Sequence, residues 1–195
     1  MISSAPADPQ INWLNCIGDS ITAPYPTVTY DMTAFPYLVK AGIGGICRER
    51  NLGVAGNTTT QMLARISQAV SPIPSVVVIY GGINDLGGGI SDATTTSNLN
   101  AMIAAIRSAG CDRIMLCNIH TITAVSDSNY DGKRAAILAS ASSSNVPVCD
   151  FHAVTLINPT DYVDGLHLTA TGIQKLATAL KSALDTEGWS TVLHG

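Results

Sequence analysis

Three residues of this chain have the side chains and spacing needed for nucleophilic catalysis. Ser20 ends the tripeptide GDS at 18–20, and Asp164 and His167 stand three residues apart in DGLH at 164–167. A carboxylate that binds one ring nitrogen of a histidine fixes its tautomer and leaves the other nitrogen free to take a serine proton. The set predicts Ser20 as nucleophile, His167 as base and Asp164 as its orienting acid. Each part also has an ordinary alternative, since a serine can cap a helix and an Asp–His pair can lie exposed near a helix start.

Two further short motifs could stabilise a negative charge on oxygen. Gly56 can present an N–H group without a Cβ in the way, and the amide of Asn84 in GIND is a neutral donor of fixed direction. Together with the N–H of Ser20, they predict a three-donor oxyanion hole. The alternatives are a strand-to-helix turn at Gly56, with Asn57 or Thr58 as the helix N-cap, and a polar turn at Asn84.

Alternating strand and helix patterns predict where these motifs lie in the fold. Apolar and β-branched runs indicate five strands, at 12–17, 50–54, 75–80, 113–119 and 146–151. Helical spacing of apolar residues indicates helices at 35–41, 59–70, 92–109, 133–143 and 169–184. The alternation predicts an α/β fold, a three-layer α/β/α sandwich around a five-stranded parallel sheet. Ligands bind beyond the carboxyl ends of such strands, which is where the four motifs fall.

Composition bounds the class of protein. The chain has 195 residues, 46% hydrophobic and 12% charged, which predicts one globular domain. We expect it to span 11–195, with 1–10 as a polar lead-in or linker. The net charge of -4 predicts no nucleic-acid partner, and no apolar run is long enough to span a membrane. The first ten residues lack the pattern of an intact signal peptide, so we expect a cytoplasmic protein or a mature or modular part of an exported or virion protein.

The cysteines and histidines predict neither a disulfide scaffold nor a metal site. The five cysteines are odd in number and form no CxxC pair, so we expect buried free thiols. The histidines are scattered without HxH or HxxxH spacing, and we therefore expect no metal.

These motifs together resemble the SGNH hydrolases, also called the GDSL esterases and lipases, across nearly the whole chain and in the same order. The resemblance implies that Ser20 is the nucleophile and that Gly56 and Asn84 complete the oxyanion hole, with Asp164 and His167 as the other triad members. It also implies a flavodoxin-like fold, no cofactor, and a small single-domain member of bacterial or phage type. The first motif reads GDSI here instead of GDSL, an exchange of one aliphatic residue for another.

The substrate is less well defined by these residues than the reaction. Short strand-to-helix connections leave little material for a deep acyl tunnel or a lid, so we expect a short acyl group, with a carbohydrate O-acetyl ester as substrate. Tyr25, Tyr30 and His120 follow predicted strand ends and could line the alcohol side. The alternatives are a lysophospholipase or thioesterase acting on longer acyl chains and, in another class, a non-catalytic binding module of a larger surface or phage-tail protein. The oligomeric state is left open.

Overall fold

Five parallel β-strands form the centre of the structure, a computed structural model that describes residues 12–23 and 32–195. The strands are β1 (Trp13–Gly18), β2 (Arg48–Gly53), β3 (Val76–Tyr80), β4 (Ile114–Cys117) and β5 (Val148–Cys149). They are hydrogen bonded in the order β2-β1-β3-β4-β5, and each neighbouring pair is parallel. The predicted five-stranded parallel sheet is confirmed, with the strand order of flavodoxin-like folds.

Helices connect the strands. The α-helices are α1 (Phe35–Ile43), α2 (Thr59–Ala64), α3 (Ile83–Gly87), α4 (Asp92–Ser108), α5 (Asp131–Ser144), α6 (Ala170–Thr186) and α7 (Trp189–His194). Short 3₁₀ helices occupy Ile66–Val70, Asp127–Tyr130 and Phe151–Ala153. The helix predicted over 59–70 is therefore divided at Arg65, and the short helices α3 and α7 were not predicted.

The sheet has an apolar core on each face. Along β3 the side chains of Val76, Val78 and Tyr80 pack on one face, and those of Val77 and Ile79 pack on the other. The first core is completed mainly by α1, α6 and α7, the second by α2, α4 and α5. Burial on both faces explains why β3 is an uninterrupted apolar run, since a strand covered on both sides has no solvent-facing positions.

The order of the strands determines where a ligand can bind. The chain passes from β1 to β2 on one side and then returns to β3 on the other side of β1. The loops after β1 and β3 diverge at this reversal and leave a crevice beyond the carboxyl ends of the strands. Of the helices within residues 12–23 and 32–195, none is long and apolar enough to cross a membrane.

Candidate active site

Ser20 lies two residues beyond the end of β1. The carboxylate oxygen Oδ1 of Asp19 accepts the Ile21 N–H at 2.9 Å, and the Asp19 carbonyl accepts the Ala23 N–H at 2.9 Å, so the chain turns sharply here. Ser20 is 6% exposed, and its Oγ lies 3.1 Å from Nε2 of His167. The turn thus places the hydroxyl within hydrogen-bond distance of an imidazole that is 147 residues later in the chain.

The DGLH segment forms a turn around the carboxylate of Asp164. Oδ1 accepts the Leu166 N–H at 3.0 Å and the His167 N–H at 2.7 Å, while Oδ2 lies 2.7 Å from Nδ1 of His167. Burial acts to raise the pKa of Asp164, but the hydrogen bonds from His167 and Leu166 hold that pKa below its ordinary value. The ionised carboxylate of Asp164 accepts a hydrogen bond from the Nδ1–H group of His167, so Nε2 is the nitrogen left to accept a hydrogen bond from the Ser20 hydroxyl.

The loop after β4 supports this turn from below. Gly165 has a φ of +83°, and a Cβ at this position would stand 2.6 Å from the backbone nitrogen of Ala124. The Gly165 carbonyl accepts the N–H groups of Thr123 at 2.8 Å and Ala124 at 3.1 Å. Glycine is therefore required between Asp164 and His167 for both its backbone angle and its lack of a side chain.

His120 lies beneath the site and not at its rim, so the prediction that it lines the alcohol side is wrong. The residue is 0% exposed, with Nε2 2.9 Å from the Leu166 carbonyl and Nδ1 2.8 Å from the Tyr80 hydroxyl. Burial lowers the pKa of His120 to about 4, so the ring is neutral and donates through Nε2 while Tyr80 donates to Nδ1. Both ring nitrogens are therefore occupied, Nε2 by the DGLH turn and Nδ1 by Tyr80, and neither faces a ligand.

The three predicted oxyanion donors follow three adjacent strands. Ser20 follows β1, Gly56 follows β2, and Asn84 lies in α3, directly after β3. Gly56 is exposed with a φ of +79°, and within the described ranges neither its N–H nor that of Ser20 donates to a protein acceptor. Asn84 Nδ2 donates to the carbonyl of Asn57 at 3.0 Å, which orients the amide and leaves its second N–H available.

Asp85 is a buried support of the site whose role was not predicted. Its carboxylate accepts the Thr59 N–H at 2.8 Å, the Thr59 hydroxyl at 2.6 Å and the Thr95 hydroxyl at 2.7 Å. These bonds join α3 to the first turns of α2 and α4. Thr58 caps α2 in a capping box with Gln61, so a helix cap and the exposed Gly56 N–H occur together in one loop.

A small cavity borders both Ser20 and His167. Its volume is about 20 Å³, and its other lining residues are Ile21, Ala23, Thr33, Ala34, Leu168 and Ile173. Most of this lining is aliphatic.

Tyr25 and Tyr30, predicted at the substrate rim, lie outside the described residues. All five cysteines are buried free thiols, as predicted, and residues 12–23 and 32–195 contain no group of three His, Cys, Asp or Glu that could hold a metal ion.

The fold and site together define an α/β/α sandwich hydrolase with a Ser–His–Asp hydrogen-bond chain beyond the strand ends. The model of the GDSL-like lipase/acylhydrolase family matches residues 16–175. The chain therefore belongs to this family, and it is an ester-hydrolysing enzyme.

Solved structures of the same fold cover nearly the whole chain. A lipase/acylhydrolase from Enterococcus faecalis is 26% identical, with a TM-score of 0.75 over 90% of this chain and 96% of its own. A G-D-S-L family protein from Desulfitobacterium hafniense, described as a lipolytic protein, is 19% identical, with a TM-score of 0.78 over 89% and 99%. An acetyl xylan esterase from Geobacillus stearothermophilus is 21% identical, with a TM-score of 0.73 over 89% and 94%. The similarity to the last two of these structures shows only a shared fold. No curated protein matches the chain.

Proposed function

We propose that the protein is a serine esterase that removes short acyl groups, with O-acetylated carbohydrates as its substrate class. The observation that carries this proposal is the continuous chain of hydrogen bonds from the Ser20 hydroxyl through His167 to Asp164, at 3.1 Å and 2.7 Å. This is the arrangement in which a base can take the proton of a weak nucleophile while a carboxylate stabilises the resulting imidazolium.

The first half of the reaction acylates the serine. Ser20 Oγ attacks the ester carbonyl carbon, and its proton passes to Nε2 of His167. The carbonyl oxygen becomes an oxyanion that accepts the N–H groups of Ser20 and Gly56 and the amide of Asn84. When the tetrahedral intermediate collapses, the bond to the leaving alcohol breaks and His167 returns the proton to the alcohol oxygen.

The second half releases the acid. Water gives a proton to Nε2 of His167 while its oxygen attacks the acyl carbon. When the second tetrahedral intermediate collapses, the bond between the acyl carbon and Ser20 Oγ breaks, and His167 returns the proton to Oγ, which restores the hydroxyl. Asp164 stays ionised throughout, because three hydrogen bonds from Leu166 and His167 stabilise its charge. No metal is needed in either half, since the N–H donors supply the stabilisation of negative charge.

The preference for a short acyl group is supported by the cavity beside the two reacting side chains. Its volume of about 20 Å³ is only slightly more than the roughly 10–15 Å³ that one water molecule needs. A cavity of this size has room for a methyl group but not for a long alkyl chain. The carbohydrate leaving group is supported by likeness of fold to acetyl xylan esterases, whose names give that substrate.

A second candidate is hydrolysis of longer acyl esters. It is favoured by aliphatic side chains that lie exposed directly beside site residues. Leu86, two residues after Asn84, is 40% exposed, and Val163, directly before Asp164, is 58% exposed. An acyl chain lying on the open surface of the site could contact such side chains without entering the cavity.

A chain-length series separates these two candidates. We expect kcat/KM for p-nitrophenyl esters to be highest for acetate and to fall steadily toward dodecanoate. The same preparation should release acetate from acetylated polysaccharides, with the Ser20→Ala variant as the control for spontaneous hydrolysis. A maximum at octanoate or longer, without acetate release from any polysaccharide, refutes the acetylesterase proposal in favour of the second candidate.

A further inference from the structure

The guanidinium of Arg65 lies beneath the loops that carry the oxyanion donors. Nη2 donates to the carbonyl of Gly18 at 2.8 Å, at the end of β1. Nη1 donates to the carbonyl of Leu52 at 2.7 Å, near the end of β2. Nε donates to the side-chain oxygen of Asn57 at 2.7 Å, in the loop between β2 and α2. One planar group thus holds two strand ends and one loop in a fixed relation, at the place where α2 ends.

Each oxyanion donor is close to one of these contacts. Gly18 is two residues before Ser20, and Asn57 directly follows Gly56. Asn57 also contacts the third donor, because its main-chain carbonyl accepts a hydrogen bond from Asn84 Nδ2 at 3.0 Å. The donors after β1, β2 and β3 are therefore linked through a single arginine.

The chemistry of this position favours arginine over lysine. Three acceptors in different directions match the rigid fork of a guanidinium, whereas an ammonium group is a compact point charge on a flexible stem. Burial lowers the pKa of Arg65, and the nearby buried carboxyl of Asp19 acts to raise that pKa when it is ionised. Arg65 remains charged, so all three hydrogen bonds to the loops are charge-assisted.

We infer that Arg65 is a positioning residue that aligns the oxyanion donors of Ser20, Gly56 and Asn84 and does not itself touch the substrate. The inference rests on the proposed function, because it assigns a role in stabilising the oxyanion of that reaction. Misalignment of the donors weakens an interaction made only in the transition state, so it lowers kcat and leaves KM nearly unchanged.

The test compares Arg65→Ala and Arg65→Lys with a matched control. Loss of one oxyanion donor typically lowers kcat by 10²–10³-fold, so we expect a fall of about 100-fold in Arg65→Ala and a smaller fall in Arg65→Lys. Millimolar guanidinium should restore part of the activity of Arg65→Ala, and the acid limb of the pH–rate profile should not move. Arg50→Ala is the control, since Arg50 donates to the carbonyls of Gln68 and Ser71 on the exposed surface and should leave kcat unchanged.

A second variant covers the case in which Arg65→Ala does not fold. Asn57→Ala removes the acceptor of Arg65 Nε but keeps the main-chain carbonyl that orients Asn84, and it should also lower kcat. In the double variant, the fold-loss of kcat should be smaller than the product of the fold-losses in the two single variants, as expected for residues that act through one contact.

Ser20→Ala, assayed in parallel, separates this inference from the proposed function. Full turnover in Ser20→Ala refutes the proposed function. Loss of turnover in Ser20→Ala, together with kcat within about threefold of wild type in folded Arg65→Ala and Asn57→Ala, refutes only the positioning role. An effect confined to KM refutes it equally.

Discussion

Asp19, directly before the proposed nucleophile, is predicted to make the folded protein less stable as the pH rises. Its carboxyl is 0% exposed, Oδ1 accepts the Ile21 N–H, and Oδ2 has no hydrogen-bond partner among the described residues. Burial raises the pKa of Asp19 to about 7, although its hydrogen bonds and the charge of Arg65 act to lower it. In the unfolded chain an aspartate titrates near about 3.9.

The sign and size of the effect follow from these two pKa values. Between about pH 4 and pH 7 the folded state binds the Asp19 proton and the unfolded state does not, so the free energy of unfolding falls as the pH rises. A shift of about three units at 1.36 kcal/mol per unit corresponds to about 4 kcal/mol in total, of which about 3 kcal/mol is lost between roughly pH 4.5 and pH 8.

Asp19→Asn removes this titration and keeps an oxygen for the Ile21 N–H. The buried amide has its own cost, but that cost does not change with pH. In urea unfolding, the stability of Asp19→Asn relative to wild type should therefore rise by about 3 kcal/mol from pH 4.5 to pH 8. Titration of His120 is common to both proteins and cancels in the comparison.

Asp161→Asn is a control of opposite sign. A hydrogen bond from Lys175 at 2.7 Å holds the pKa of Asp161 below its ordinary value, so this variant should lose stability relative to wild type as the pH rises toward about pH 4 and should show no further relative change from about pH 4.5 to pH 8. If the unfolding free energies of Asp19→Asn and wild type instead run parallel across this pH range, the assignment of a raised pKa to Asp19 is refuted.

Three other substitutions test separate parts of the site. Gly165→Ala should lower the free energy of unfolding by more than the about 1–2 kcal/mol typical of a left-handed backbone alone, because its Cβ would stand 2.6 Å from a backbone nitrogen. Gly87→Ala is the control in the same urea unfolding assay, and it should be nearly neutral because a Cβ there meets nothing within 4 Å. His120→Phe leaves the Tyr80 hydroxyl and a carbonyl of the DGLH turn unpaired and should cost about 2 kcal/mol of stability, whereas an unchanged unfolding midpoint would contradict the buried hydrogen-bond chain. Asn84→Ala should lower kcat by about 10²–10³-fold at nearly constant KM, and a change in KM alone would remove the amide from the oxyanion hole.

The parts of the fold that were predictable from sequence are those with a strong local pattern. The apolar run of β3 and the spacing of Leu99, Met102, Ile103 and Ile106 in α4 predict elements of the observed type. β5 is shorter than the predicted segment 146–151, because Asp150 accepts the His152 N–H and begins a 3₁₀ turn in place of further strand. Such a local side-chain hydrogen bond has no periodic signature.

The site was predictable where its residues are adjacent in sequence or follow a strand, and not where they act from a distance. Ser20 and His167 could be paired because their motifs fall at the same edge of a parallel sheet. The roles of Arg65 and His120 depend on contacts with residues 47 and 46 positions away, at Gly18 and Leu166. His120 also shows that a histidine after a strand end can be a fully buried support, a distinction that only its surroundings reveal.

The central claim, that Ser20 is the nucleophile, is tested most directly by covalent labelling. The wild-type protein is treated with a fluorophosphonate, digested and examined by peptide mass spectrometry. A hydroxyl activated by an imidazole reacts with this probe, whereas an ordinary serine does not. We predict one label, on Ser20, and its disappearance in His167→Ala although Ser20 is still present. A wild-type protein that hydrolyses esters but carries the label elsewhere, or carries none, would contradict the account.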